Sequence, residues 1–90
     1  MKPDLAQFMP PFHADKYGCF IRDACGSMAA DFHEEKPRAR GWGRIGYLKN
    51  ADARFEAWRA FFYEHAGDAA DLSEAADRLN AALKAMEGEG

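Results

Sequence analysis

The chain has 90 residues, of which 48% are hydrophobic and 13% aromatic, and its formal net charge is −3 at pH 7. This length leaves room for one domain, and the apolar content excludes a disordered chain. The acidic balance also excludes indiscriminate binding to nucleic acid or to an anionic membrane. The charge is unevenly divided, because residues 36–49 carry five basic and no acidic side chains, whereas residues 64–90 carry seven acids and two bases.

Residues 1–15 are predicted to form an irregular N-terminal arm. Prolines at positions 3, 10 and 11 disfavour a regular helix, and we expect Phe8, Met9 and Phe12 to anchor the arm. The prolines also interrupt the apolar core that a signal peptide requires, and no apolar run approaches the ~20 residues of a membrane helix. We therefore expect a cytoplasmic protein without a membrane partner, in which Cys19 and Cys25 are free thiols.

Residues 16–49 are predicted to form a meander of three antiparallel strands. Alternating residues on both sides of the turn at Asp23–Gly26 indicate a hairpin, and Gly26 can adopt the positive φ that such a turn uses. The alternation places Ile21 on the buried face and Phe20 and Arg22 on the other face. The stretch HEEKPRARG is predicted to be a charged loop, and the alternation in WGRIGYL predicts the third strand.

Residues 50–88 are predicted to form a helical hairpin. The first helix begins at a cap formed by Asn50 or Asp52 and ends at Gly67, and the second begins with Asp71 and Glu74 in capping-box spacing. The apolar stripes are Ala51, Phe55, Trp58, Phe62 and His65 in the first helix, and Leu72, Ala75, Leu79, Leu83 and Met86 in the second. The sequence thus predicts one α+β domain over residues 1–90, a three-stranded antiparallel β-meander with the two-helix hairpin packed on one sheet face.

The sequence carries none of the common catalytic motifs. A Gly-rich phosphate loop, HExxH and GxSxG are absent, and neither Ser27 nor Ser73 has a local base. A chain of this size rarely builds a closed pocket, so we expect a protein that is not an enzyme and has no cofactor.

Zinc binding is also disfavoured by the spacing of the available ligands. The candidate ligands are His13, Cys19, Cys25 and His33. They lack the usual pairwise spacings, and the alternation directs Cys19 and His33 to opposite faces of the sheet. The alternative of a Cys19–Cys25 disulfide requires that the turn bring the two residues together.

A basic and aromatic surface is the strongest functional candidate. Arginine and aromatic residues on the polar side of the alternation are the residue types that protein interfaces favour. The predicted surface combines the exposed sheet face with the basic loop, and its partner-binding residues are Phe20, Arg22, His33, Arg38, Arg40, Trp42 and Arg44. Their arginines would bind carboxylates of a host protein, or phosphates where the partner is a nucleoprotein.

Three alternatives to a partner-binding surface stay open. Residues 36–49 combine basic and aromatic side chains as single-strand nucleic-acid-binding surfaces do. The surplus aromatic surface of the helices could form a homodimer. The plainest alternative is a solvated basic rim whose charges discourage pairing at the edge of the sheet.

The segments FIRDACGSMAADFH, NADARFEAWRAFF and LNAALKAM resemble small accessory proteins of bacteriophages and other mobile elements. Proteins of that class often begin with a hairpin of the type I-x-D-A-x-G-x-x-V-A and end in a helix rich in alanine and leucine. The resemblance covers about half of the chain. It implies a non-enzymatic protein that acts by binding, for example an inhibitor of a host defence system such as an anti-CRISPR.

Overall fold

Four antiparallel strands and three helices form the computed structural model, which describes residues 8–17 and 19–89. The strands are β1 (His13–Ala14), β2 (Phe20–Arg22), β3 (Met28–His33) and β4 (Lys36–Ala39), and they lie in this order across the sheet. The helices are α1 (Trp42–Ile45), α2 (Ala51–Ala66) and α3 (Leu72–Glu89). The prediction of an α+β fold, with an antiparallel meander followed by two longer helices, is confirmed, although the sheet has one strand more than predicted.

The additional strand at the N-terminal side is β1, which pairs with β2 and ends the predicted irregular arm. Phe8 and Phe12 are buried, with 3% and 2% of their surface exposed, and they anchor the arm as predicted. Met9 does not, because 56% of its surface is exposed. Residues 1–7 of the predicted arm lie outside the described residues.

The strand β4 arises from the stretch that was predicted to be a charged loop. Glu34 and Glu35 have φ values of 50° and 65° and form a two-residue turn that pairs His33 with Lys36, as in a type I′ hairpin. Pro37 is tolerated because it lies on an edge strand, at a position whose backbone points away from β3. The prediction of a loop is wrong. The hairpin was missed because Glu34 and Glu35 are not the residues that usually form a two-residue turn, and because Pro37 disfavours a strand.

The predicted third strand, WGRIGYL, is instead the helix α1 followed by a turn. Gly41 has a φ of 105°, and a Cβ at this position would lie 2.5 Å from the ring of Phe8. Glycine is therefore required where the chain leaves β4 and turns into α1. Ile45 is fully buried while Tyr47 is 92% exposed, so these two residues do not share a face as the strand prediction assumed.

The helices α2 and α3 follow the predicted bounds and pack against each other and on the inner face of the sheet. Asn50 precedes α2 with a φ of 59° and makes no side-chain capping hydrogen bond. The predicted cap of α3 forms, because the backbone N–H of Glu74 donates to Asp71 Oδ1 at 2.8 Å. The predicted side-chain cap of α2 is therefore wrong for Asn50, and α2 is defined locally by its apolar stripe, whereas α3 has both a capped start and a stripe.

Trp58 lies at the centre of the core. Its fully buried ring contacts Phe8, Phe12, Phe61 and Phe62, with centroid distances between 5.0 and 6.2 Å. Phe61, which was predicted to lie outside the apolar stripe of its helix, is only 5% exposed. The N-terminal arm therefore completes the core that the two helices and the sheet begin.

Candidate partner-binding surface

The register of the sheet separates an inner face from an outer face. The row formed by Ile21, Ala30 and Ala39 is buried against the helices. The neighbouring row places Phe20, Asp31 and Arg38 opposite one another on the outer face. Five of the seven predicted residues belong to this outer face, namely Phe20, Arg22, His33, Arg38 and Arg40.

Asp31 is the centre of the charged cluster on the outer face. Arg38 donates from Nε and Nη2 to the two carboxylate oxygens of Asp31 at 3.1 Å each. These hydrogen bonds raise the pKa of Arg38 above its ordinary value. The Arg40 Nε lies 3.7 Å from the same carboxylate, too far for a hydrogen bond, so two guanidinium groups share one carboxylate.

Arg22 is engaged within its own hairpin. Its Nη1 donates to the carbonyl oxygen of Gly26 at 2.9 Å, and its guanidinium lies 5.4 Å from the ring centre of Phe20. The Arg22 Nε is also 3.8 Å from the carboxylate of Asp15. These contacts give Arg22 and Phe20 a structural role that sequence alternation alone did not indicate.

An open cleft of about 740 Å³ lies where β3 begins, next to the β4–α1 connection and to α2. Its apolar wall consists of Met28, Trp42, Tyr47 and Phe55, and Arg40 lies at the same cleft. The rings of Trp42 and Phe55 meet edge to face with centroids 5.6 Å apart. Trp42 remains 48% exposed, so an aromatic surface is presented to solvent beside an arginine.

The structure thus divides the predicted surface in two. Arg40 and Trp42 come together at the cleft, whereas Arg22, His33 and Arg38 lie elsewhere on the outer sheet face. Arg44 belongs to α1, and its side chain lies outside the described part of the structure.

Three residues of the cleft were missed by the sequence analysis. Met28, Tyr47 and Phe55 were not among the predicted partner-binding residues, and Phe55 was predicted to belong to the apolar stripe of its helix. They line the cleft because α1 replaces the predicted third strand. No local pattern identifies them, since they come from three elements that only tertiary packing brings together.

Side chains of α2 and α3 bind backbone groups at the two edges of the sheet, which are β4 and the chain next to β1. On β4, Pro37 has no backbone N–H, and the N–H of Ala39 donates to the hydroxyl oxygen of Tyr63 at 3.2 Å. Next to β1, the side-chain amide of Asn80 accepts from the N–H of Phe12 and donates to its carbonyl oxygen, both at 2.7 Å. These contacts disfavour addition of a partner strand at these positions.

The candidate metal ligands do not form a centre in the described part of the chain. Cys19 and Cys25 are free and exposed, and the Cys25 Sγ lies 3.3 Å from the Met9 Sδ. Among the described residues, no three side chains of His, Cys, Asp or Glu lie close enough to hold a metal ion. The described helices also include none with both the length and the apolar content needed to cross a membrane.

Comparisons of this chain with protein-family models, with curated proteins and with solved structures find no match.

Proposed function

We propose that this chain is a small non-catalytic binding protein that docks a partner macromolecule at the cleft formed by Met28, Arg40, Trp42, Tyr47 and Phe55. In the class that its hairpin and terminal helix resemble, such a protein inhibits or recruits a host macromolecule, for example a CRISPR effector. The observation that carries the proposal is the exposure of aromatic side chains at a cleft beside Arg40.

The distribution of exposed apolar residues supports this site. Trp42, Tyr47 and Leu48 are 48%, 92% and 36% exposed, and all three belong to one segment of seven residues. These residues lie outside the core and present apolar surface to solvent. Trp, Tyr and Arg are the residues on which binding energy concentrates in protein interfaces.

A pull-down from a bacterial lysate tests the proposal, with immobilised wild-type protein compared with Trp42→Ala. We expect wild type to retain a specific protein, and Trp42→Ala to lose it, because truncation of a central interface aromatic weakens binding strongly. Tyr17→Ala is the matched control, since Tyr17 is 75% exposed but does not line the cleft.

Each outcome of the pull-down has a distinct meaning. Retention by wild type and Tyr17→Ala alone, resistant to nuclease, supports a protein partner at the cleft. Equal retention by Trp42→Ala would overturn the assignment of the cleft. Retention that disappears on nuclease treatment would favour the nucleic-acid-binding alternative. In a separate light-scattering measurement of the purified protein, a mass of twice 10.1 kDa would favour a homodimer.

A further inference from the structure

We infer that the occupant of the cleft is an acidic protein segment, in which a carboxylate that binds Arg40 lies close to an apolar side chain that enters between Trp42 and Tyr47. This inference rests on the proposed function and specifies the chemistry of the partner. It follows from the state of the Arg40 guanidinium, from the lining of the cleft and from the charge of the surrounding surface.

The guanidinium of Arg40 has unused hydrogen-bond donors. It donates no hydrogen bond to any described residue, and 43% of its side-chain surface is exposed. Asp31, its nearest carboxylate, already accepts two hydrogen bonds from Arg38. Because a guanidinium presents its donors in a planar fork, a second carboxylate can bind Arg40 in the same bidentate manner as Asp31 binds Arg38.

The lining of the cleft requires an apolar group beside that carboxylate. Met28, Trp42 and Phe55 present a thioether and two aromatic rings, which favour an aliphatic or aromatic side chain in contact with them. The volume of about 740 Å³ is large enough to accept one such side chain with its neighbouring residues.

Charge complementarity distinguishes this occupant from nucleic acid. Arg40 is the only charged side chain among the described residues that line the cleft, and the carboxylate of Asp31 lies 3.7 Å from it. Asp31 is bound by Arg38 as well as by Arg40, so two cations and one anion leave a net charge of +1, which matches a single carboxylate. A nucleic-acid strand instead brings a series of phosphates that require several cations. A second copy of the chain would bring its acidic C-terminal half, and this is a further outcome of the test.

Panning of a random 12-residue peptide phage library on the immobilised protein tests the inference without a known partner. We expect wild type to enrich peptides with Asp or Glu within three positions of Trp, Phe or Leu. Arg40→Glu should lose this acidic preference, and Trp42→Ala should lose enrichment altogether. Lys84→Glu is the matched control, because it changes the net charge equally on α3, away from the cleft.

Titration calorimetry with a synthetic copy of the best peptide then measures the contribution of the carboxylate. Replacing its Asp or Glu by the corresponding amide should weaken binding to wild type by about tenfold to a hundredfold, and should change binding to Arg40→Glu much less. Enrichment of basic or uncharged peptides, equal acidic preference in Arg40→Glu, or no enrichment over bare wells would overturn the inference.

The proposed function and the acidic nature of the partner can be rejected independently. If the pull-down identifies a partner that depends on Trp42 while panning shows no acidic preference, the proposed function stands and the acidic partner is rejected. If the protein forms dimers that Arg40→Glu dissociates, the occupant is a second copy of the chain rather than a different protein.

Discussion

Asp23 stabilises the turn of the β2–β3 hairpin. It is fully buried, and its carboxylate accepts hydrogen bonds from the backbone N–H groups of Met9, Cys25 and Ser27 at 2.8 to 3.0 Å. A buried carboxylate is stable in a protein only when such donors replace the water that it loses. One side chain therefore closes the turn and also holds the N-terminal arm.

We expect Asp23→Ala to lower the free energy of unfolding by about 3 kcal/mol, because it leaves three backbone donors without their charged acceptor. The midpoint of urea denaturation measures this effect. The matched control is Asp77→Ala, which removes an exposed carboxylate from α3 and should change stability by less than about 0.5 kcal/mol. Equal losses in the two variants would contradict the structural role of Asp23.

Asp15 gives the protein a pH-dependent contribution to stability. Its pKa lies below the ordinary value because its carboxylate accepts a hydrogen bond from the N–H of Cys19, with further lowering by Phe20, Tyr17 and the charge of Arg22. A depressed pKa in the folded state means that the stabilisation is complete above the unfolded pKa of about 3.9 and is lost as the pH falls through the folded pKa.

Asp15→Asn should therefore be less stable than wild type at pH 7, and the difference should shrink below about pH 4. Urea denaturation of both proteins at a series of pH values between 7 and 3 measures the two curves. A stability difference that stays constant across this range would show that the ionised carboxylate is not the stabilising group.

At the scale of secondary structure, the β3–β4 turn has an unfavourable backbone conformation for its residues. Glu34 and Glu35 both have positive φ, a region in which residues other than glycine, asparagine and aspartate are disfavoured. The turn forms because the pairing of β3 with β4 and the packing of Ala39 and Pro37 compensate for it.

Replacing the turn by Glu34→Asn together with Glu35→Gly should raise the free energy of unfolding by about 1 kcal/mol, because Asn-Gly adopts this backbone without strain. Thermal denaturation followed by circular dichroism measures the gain. The control is Glu34→Gln with Glu35→Gln, which removes the same charges without relieving the backbone. A similar gain in the control would assign the effect to charge repulsion instead.

The elements that could be predicted from the sequence are those defined by local residue patterns. The helices were predictable because Asp71, Gly67 and the apolar stripes act within a few residues. The β2–β3 hairpin was predictable because Asp23 and Gly26 are typical turn residues. The strand β4 was not, since its turn has unfavourable local chemistry and is imposed by tertiary pairing.

At the scale of the whole molecule, the candidate site was less predictable than the fold. The sequence selected Arg40 and Trp42, but it assigned Arg40 to a loop and Trp42 to a sheet face on which Trp42 does not lie. The remaining wall of the cleft depends on how α1 places Tyr47 beside α2, and on Met28 at the start of β3. These contacts join distant parts of the chain, and a pattern of short period contains no information about them.

The placement of the two tryptophans gives this protein two separate optical reporters. Trp58 is fully buried among phenylalanine rings, whereas Trp42 is 48% exposed at the cleft. Iodide should quench the fluorescence of Trp42 selectively in the folded protein, while the emission of Trp58 should respond only when the core opens. Occupation of the cleft and unfolding of the domain can thus be followed by intrinsic fluorescence in one sample, without attaching a label.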